Sequence, residues 1–217
     1  MRRFLPLIVV VTFVTFVLSG CSSVYYGAME KIGIHKRDIL VDRVEEARDS
    51  QLETKQLFAS ALERFNSVIN VQGGELEEKY RELKKELEKS EDQADDVRQR
   101  VAAVEDVAEA LFDEWKVELD QYNSVSLRRS SERQLKRTRD HYFKLIGAMK
   151  KAEAKIDPVL DPLRDQVLFL KHNLNARAIA SIQTELTRIE TDVSHLIREM
   201  EIAMKEADSF IQALKAE

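Results

Sequence analysis

Six glycines and three prolines in 217 residues leave this chain few places to break a helix. Each breaker therefore marks architecture. The single cysteine, Cys21, excludes an intramolecular disulfide framework and a cysteine-rich metal site. Positive charge is not in excess, since 34 Lys and Arg face 39 Asp and Glu for a net charge of −5. Without a domain-wide basic field, nucleic-acid binding is not expected. Beyond the first two dozen positions no apolar run is long enough to span a bilayer. Chemistry is sparse as well. The chain has no glycine-rich phosphate loop, no Cys/His ligand spacing and no nucleophile elbow. Its four histidines, His35, His141, His172 and His195, are scattered and read as surface or flanking residues. The expectation is a non-enzyme with no catalytic residue, metal or cofactor.

What is present begins with an address. Met1-Arg2-Arg3 is a short positive region, and Phe4 to Leu18 is apolar apart from Pro6, Thr12 and Thr15. That length suits a signal-peptide core better than a membrane span. It ends in Leu18-Ser19-Gly20-Cys21, small residues before a thiol that a lipid donor can alkylate. The segment resembles a bacterial lipoprotein signal with its lipobox. The resemblance implies diacylglycerol on Cys21, cleavage before it and acylation of the new N-terminus. Ser22, where Asp would retain the protein at the inner membrane, implies sorting to the inner leaflet of the outer membrane, facing the periplasm. Several acyl chains anchor firmly where one binds marginally, at about 0.8 kcal/mol per buried CH₂. Residues 1–20 thus read as signal, 21–37 as lipidated tether and 38–217 as one helical coiled-coil domain. The tether tyrosines, Tyr25 and Tyr26, either rest at the headgroups or pack on the domain; the second reading is favoured.

The domain is organised around residues 76–122. Leu76, Tyr80, Leu83, Leu87, Ser90, Ala94, Val97, Val101, Val104, Ala108, Leu111 and Trp115 alternate four and three apart, closing near Tyr122. A heptad seam this long predicts one helix to about Asn123, with Trp115 and Tyr122 in the core near one end. Leu40, Val44, Ala47, Gln51, Thr54, Phe58, Ala61, Phe65 and Val68 form a like seam over 36–70, whose polar middle makes the core weak there. Gln72-Gly73-Gly74 stops that helix.

A third seam runs from Leu135 through Thr138, Tyr142, Leu145, Met149, Ala152, Ile156 and Val159 to Leu163. Asp157-Pro158 and Asp161-Pro162 fall inside it, so a kink or a fresh helix start with Asp as N-cap is expected there, and a bend rather than a reversal because the seam keeps phase across Pro158. Lys171-His172-Asn173 reads as a helix end. A last seam spans Ile182 to Leu214. Short turns join segments of like length, which predicts an elongated antiparallel up-down-up-down four-helix bundle, all-α. The alternative, without reversal at 173–175, is a three-helix coil with one long kinked C-terminal helix.

Charge is blocked. Asp92, Asp95, Asp96, Glu105, Asp106, Glu109, Asp113 and Glu114 crowd the second helix, while Arg128, Arg129, Arg133, Lys136, Arg137 and Arg139 open the third. The basic block is either a site for phosphate, lipid headgroup or glycan, or a flank complementary to the adjacent acids. Adjacency favours the flank.

Two further stretches carry a resemblance: Tyr25 to Val41, and Asp165 to Ala176. They are similar to an uncharacterised proteobacterial lipoprotein family, domain of unknown function twenty-nine fifty-nine. It implies an envelope location and assigns no activity. The functional expectation is a lipid-anchored periplasmic scaffold or adaptor, bound to membrane through Cys21 and to protein partners. A lipid- or glycan-binding module using the basic block is the alternative.

Overall fold

The computed structural model describes residues 26, 29, 35–69 and 75–216. The expected signal segment, Cys21 and the expected stop at Gln72-Gly73-Gly74 lie outside the described residues. Tyr26 and Met29 are helical, and the long helices among the described residues are α1 (Lys36–Ile69), α2 (Leu76–Leu119), α3 (Val125–Glu153), α4 (Ile156–His172) and α5 (Ala176–Ala216). α1 packs on α2 and α5, while α3 and α4 together pack between α2 and α5. That ring of neighbours is a four-membered antiparallel bundle. Its longest helix, α2, runs about 66 Å at 1.5 Å per residue.

The seams are the core. All nine seam positions of α1 are buried, Gln51 and Thr54 included. On α2 the seam is buried apart from Tyr80 and Trp115, which pack partly covered against it. The α3 and α4 seam is buried from Leu135 to Leu170, and that of α5 from Ile182 to Leu214 except at Leu186. These stripes hold the helices, because a helix of mixed charge gains its stability from the face it buries.

The helix breaks at Ala154–Lys155, one turn ahead of Pro158, and restarts at Ile156 with Lys155 rather than Asp157 at the N-cap. Proline offers no N–H to the carbonyl four residues back and its ring collides with it, so the ladder fails at Ala154. Lys155 N–H instead bonds Ala152 O at 3.0 Å, a tightened last turn. Direction and phase survive. Ion pairs between α2 and the third segment join Glu105 to Lys150 (2.5 Å), Arg98 to Asp157 (2.6 Å) and Glu91 to Arg164 (2.7 Å). They step seven residues along each strand of the pair, so the break costs no register.

The chain reverses after His172, and the bundle rather than the three-helix coil is realised. Asn173 Nδ2 caps the Phe169 carbonyl at 3.0 Å, and Asn175 O accepts from Ile179 N. Across the turn Ser181 Oγ meets Gln166 Oε1 at 3.3 Å.

Two features depart from a uniform apolar core. Ser50 Oγ donates to Asp96 (2.7 Å), Gln93 Nε2 reaches Ser50, and Thr54 Oγ1 bonds Ser50 O (2.7 Å). Beside this polar layer Gln51 is fully buried, and neither atom of its amide has a partner. Further along, the buried Glu86 sits between Arg64 (3.3 Å) and Lys89 (3.4 Å).

Candidate anion site at the α2–α3 tip

α2 stops at Leu119, not at Asn123, through tightened bonds from Asp120 N to Val117 O and Gln121 N to Glu118 O. Tyr122 is therefore not core: it is 41% exposed. Between Phe112 and Leu135 no residue is buried. The α2–α3 hairpin overhangs the bundle there, two helices without the other two to cover them. Trp115, half-buried, holds it together by donating from Nε1 to Ser131 Oγ at 2.8 Å. Ser124, the N-cap, accepts from Leu127 N and starts α3.

The basic block lies on this overhang. Arg128 is paired, with Asp120 at 3.0 Å. Arg129, Arg133, Lys136 and Arg139 line a groove of about 630 Å³, floored by Leu119, Leu135 and Phe143. Two carboxylates, Glu132 and Asp140, also line it. Arg137 does not. Among the described residues no carboxylate forms an ion pair with Arg129, Arg133, Lys136, Arg137 or Arg139. Four cations thus face two acids in a partly apolar trough, where a charge interaction is screened less than in open water.

Arg139 is the most constrained of them. Its guanidinium sits 5.8 Å from the Phe112 ring centre and 5.7 Å from that of Phe143, a cation between two aromatic faces. Each such contact contributes about 0.5–2 kcal/mol, more as water is excluded. Phe112 is itself braced edge-on by Tyr142, with centroids 5.4 Å apart. The buried Nε of Arg139 has no hydrogen-bond partner. Burial, with Glu105 and Glu109 adding to it, pushes the Tyr142 hydroxyl up to about 12, so it stays protonated.

The expected neutralisation of this block by the acids of α2 is largely absent. Those acids are engaged elsewhere: Asp96 with Ser50 and Arg100, Asp95 with Arg98, Asp106 with Tyr26, Asp113 with Lys116 and Glu114 with Lys36. The pair Glu105–Lys150 does cross to α3, but beyond the block. Periodicity showed which residues share a face, not which partner each charge would choose. The sandwich around Arg139 was not anticipated either. Phe143 four residues on from Arg139 was a legible hint, since that spacing brings side chains together on a helix; Phe112 arrives only through packing.

Tyr26 packs onto α2 fourteen residues short of the tip at Asp120. Tyr26 is buried to 5% exposure and its hydroxyl donates to Asp106 Oδ2 at 2.6 Å. The four histidines do not gather with it or with one another, and all are exposed. Among the described residues no group of three or more His, Cys, Asp or Glu is placed to hold a metal ion, and no helix is long and apolar enough to cross a membrane. One family model matches residues 25–214, and its description is protein of unknown function (DUF2959). No curated protein matches the chain.

Proposed function

The chain belongs to the family of unknown function DUF2959, and from that premise we propose that it is a lipid-anchored, non-enzymatic spacer or adaptor of the bacterial envelope, held at the outer membrane by acyl chains on Cys21 and facing the periplasm. The observation that carries this reading is that the bundle begins close behind Cys21: Tyr26, five residues further on, is buried and bonded to Asp106 of the 44-residue helix α2. A rod so placed presents long charged faces to protein partners at a fixed distance from a membrane. Its axis is filled by apolar seams, which supports a structural rather than a catalytic role.

The test is Cys21→Ser in the native host, with fatty-acid labelling and membrane fractionation. Lipid incorporation is expected to vanish and an uncleaved precursor to remain at the inner membrane. Mature protein that still fractionates with outer membrane would overturn the anchor. Cross-linking of the native protein in whole cells then identifies what the rod holds. The second reading, a module binding lipid or glycan, is favoured by one specific feature, the groove cations that form no ion pair among the described residues.

A further inference from the structure

We infer that the α2–α3 overhang is a membrane-docking tip, whose groove takes anionic phospholipid headgroups while the apolar end of the hairpin enters the interface. This deepens the lipoprotein reading and rests on it for the identity of the membrane, though the binding surface itself belongs to the folded chain.

Three independent observations converge on the tip. The first is charge. Arg129, Arg133, Lys136 and Arg139 share one groove with two carboxylates and without ion-pair partners among the described residues, which leaves them open to an anion from outside the bundle. Phosphodiester headgroups fit that demand, and juxtamembrane basic clusters are drawn to anionic leaflets.

The second is apolar exposure. Nine large apolar side chains are left exposed among the described residues, and four of them, Val117, Tyr122, Val125 and Leu127, fall within one eleven-residue stretch at the end of the hairpin. Two carbon-rich positions in sequence are ordinary on a surface; a cluster at one extremity, rimmed by arginines, is what interfacial insertion uses. A free anion in solution would explain the cations and leave these residues unexplained.

The third is reach. Tyr26 is pinned to Asp106, and five residues of fully extended chain span at most about 18 Å. A lipidated Cys21 therefore holds the bilayer surface within that distance of Tyr26. Along α2 the tip at Asp120 is about 21 Å from Asp106, whereas the far end at Leu76 is about 45 Å away. An upright bundle can meet the membrane only with the hairpin down. The anchor and the groove then face the same leaflet, and the second contact fixes the tilt that a flexible acyl anchor alone leaves free.

The test uses the chain from Ser22 onward, which retains every core residue from Tyr26 to Leu214 and carries no acyl chain. Its co-sedimentation with vesicles of phosphatidylcholine is compared with vesicles containing about one third phosphatidylglycerol, at low and physiological salt. Anionic vesicles are expected to bind at least tenfold better, with the advantage falling as salt rises. Arg129→Glu with Arg133→Glu and Lys136→Glu should abolish that preference. The same charge change at the other end, Lys84→Glu with Lys85→Glu and Lys171→Glu, should leave most of it. Val125→Ser with Leu127→Ser should weaken vesicle binding severalfold. All these positions are exposed, so melting temperatures are expected to stay within a few degrees and certify folding.

Equal binding to neutral and anionic vesicles, or an unimpaired groove variant, overturns the inference. So does competition by millimolar inorganic phosphate with no effect of the Val125 and Leu127 changes, which would assign the groove to a free anion. Self-association that Leu127→Ser abolishes, without vesicle binding, would assign the tip to a second copy and overturn it too. None of these outcomes bears on Cys21, whose lipid is read out separately by labelling, so failure of the tip and failure of the anchor are distinguishable.

Discussion

The bundle body and the α2–α3 tip are made from the same kind of sequence, charged helix with recurrent apolar residues, yet the two put those residues to opposite use. In the body Val97, Val101 and Val104 are at most 1% exposed, because three other helices surround them. At the tip Val117, Val125 and Leu127 are 59–64% exposed, in a stretch between Phe112 and Leu135 where no residue is buried. Burial is a property of the neighbourhood, not of the residue. Single exposed apolar side chains such as Leu52 and Ile202 are ordinary on any surface, whereas several at one extremity mark a contact surface.

The hardest test of that contrast places the same charge in both regions. Val101→Asp buries a carboxylate that nothing pairs and should destabilise the bundle by about 3–5 kcal/mol. Leu127→Asp puts the carboxylate in water and should change stability by less than about 0.5 kcal/mol. Chemical-denaturation midpoints of the chain from Ser22 decide it. Comparable losses for both variants would mean that the overhang is covered in solution, and the tip reading would fail with the contrast.

A smaller effect, of opposite sign, probes the body alone. Gln51 brings a fully buried amide with no partner for either atom, in a layer whose other polar groups are satisfied by Ser50, Asp96 and Gln93. Replacing an unsatisfied buried polar group by an apolar one of similar volume is stabilising, here by about 1–3 kcal/mol for Gln51→Leu. A melting temperature below that of the unaltered chain would show that the amide has a partner, such as a buried water, and belongs to the polar layer after all.

How far sequence carries is visible in these same residues. The seams were legible apart from Tyr80, Trp115, Leu186 and Tyr122 because period and burial are one phenomenon: positions four and three apart share a face, and that face meets the other helices. The reversal at Asn173 was legible from local chemistry, since cations and then asparagine end a helix whatever surrounds it. The kink was displaced because Pro158 acts on the carbonyl behind it rather than at its own position. Tyr122 failed for a different reason. The pattern says which face a residue occupies, but not how long the neighbouring helices run, and α1 and α5 do not reach it. The basic block was legible as a block and illegible as a site. Which acid each cation finds depends on cross-helix register and on the aromatic faces that Phe112 and Phe143 turn to Arg139, and neither is written in a charge count.

The finest contrast is between two carboxylates of the body. Glu153, at the end of α3, is held above the ordinary carboxylate range chiefly by burial, which Arg98 and Lys150 only partly offset. Glu46, on α1, is held below that range chiefly by the hydrogen bond from Arg43, with Arg100 adding to it. The signs follow from linkage. A raised folded value means that ionised Glu153 costs stability at neutral pH, and that the cost disappears as pH falls through its folded value toward the unfolded one. A lowered value means that ionised Glu46 contributes stability above the unfolded value, and that the contribution is lost as pH falls through its folded one. Glu153→Gln should therefore raise the melting temperature at neutral pH, and Glu46→Gln should lower it. The Glu46 side chain is more than a third exposed, so its effect should stay under about 0.5 kcal/mol after solvent screening. Melts of both variants and of the unaltered chain from pH 7 downward should converge as the carboxylates protonate, one pair from above and the other from below. If Glu153→Gln instead lowers the melting temperature at neutral pH, Arg98 and Lys150 outweigh burial, and the end of α3 gains stability from its charge there.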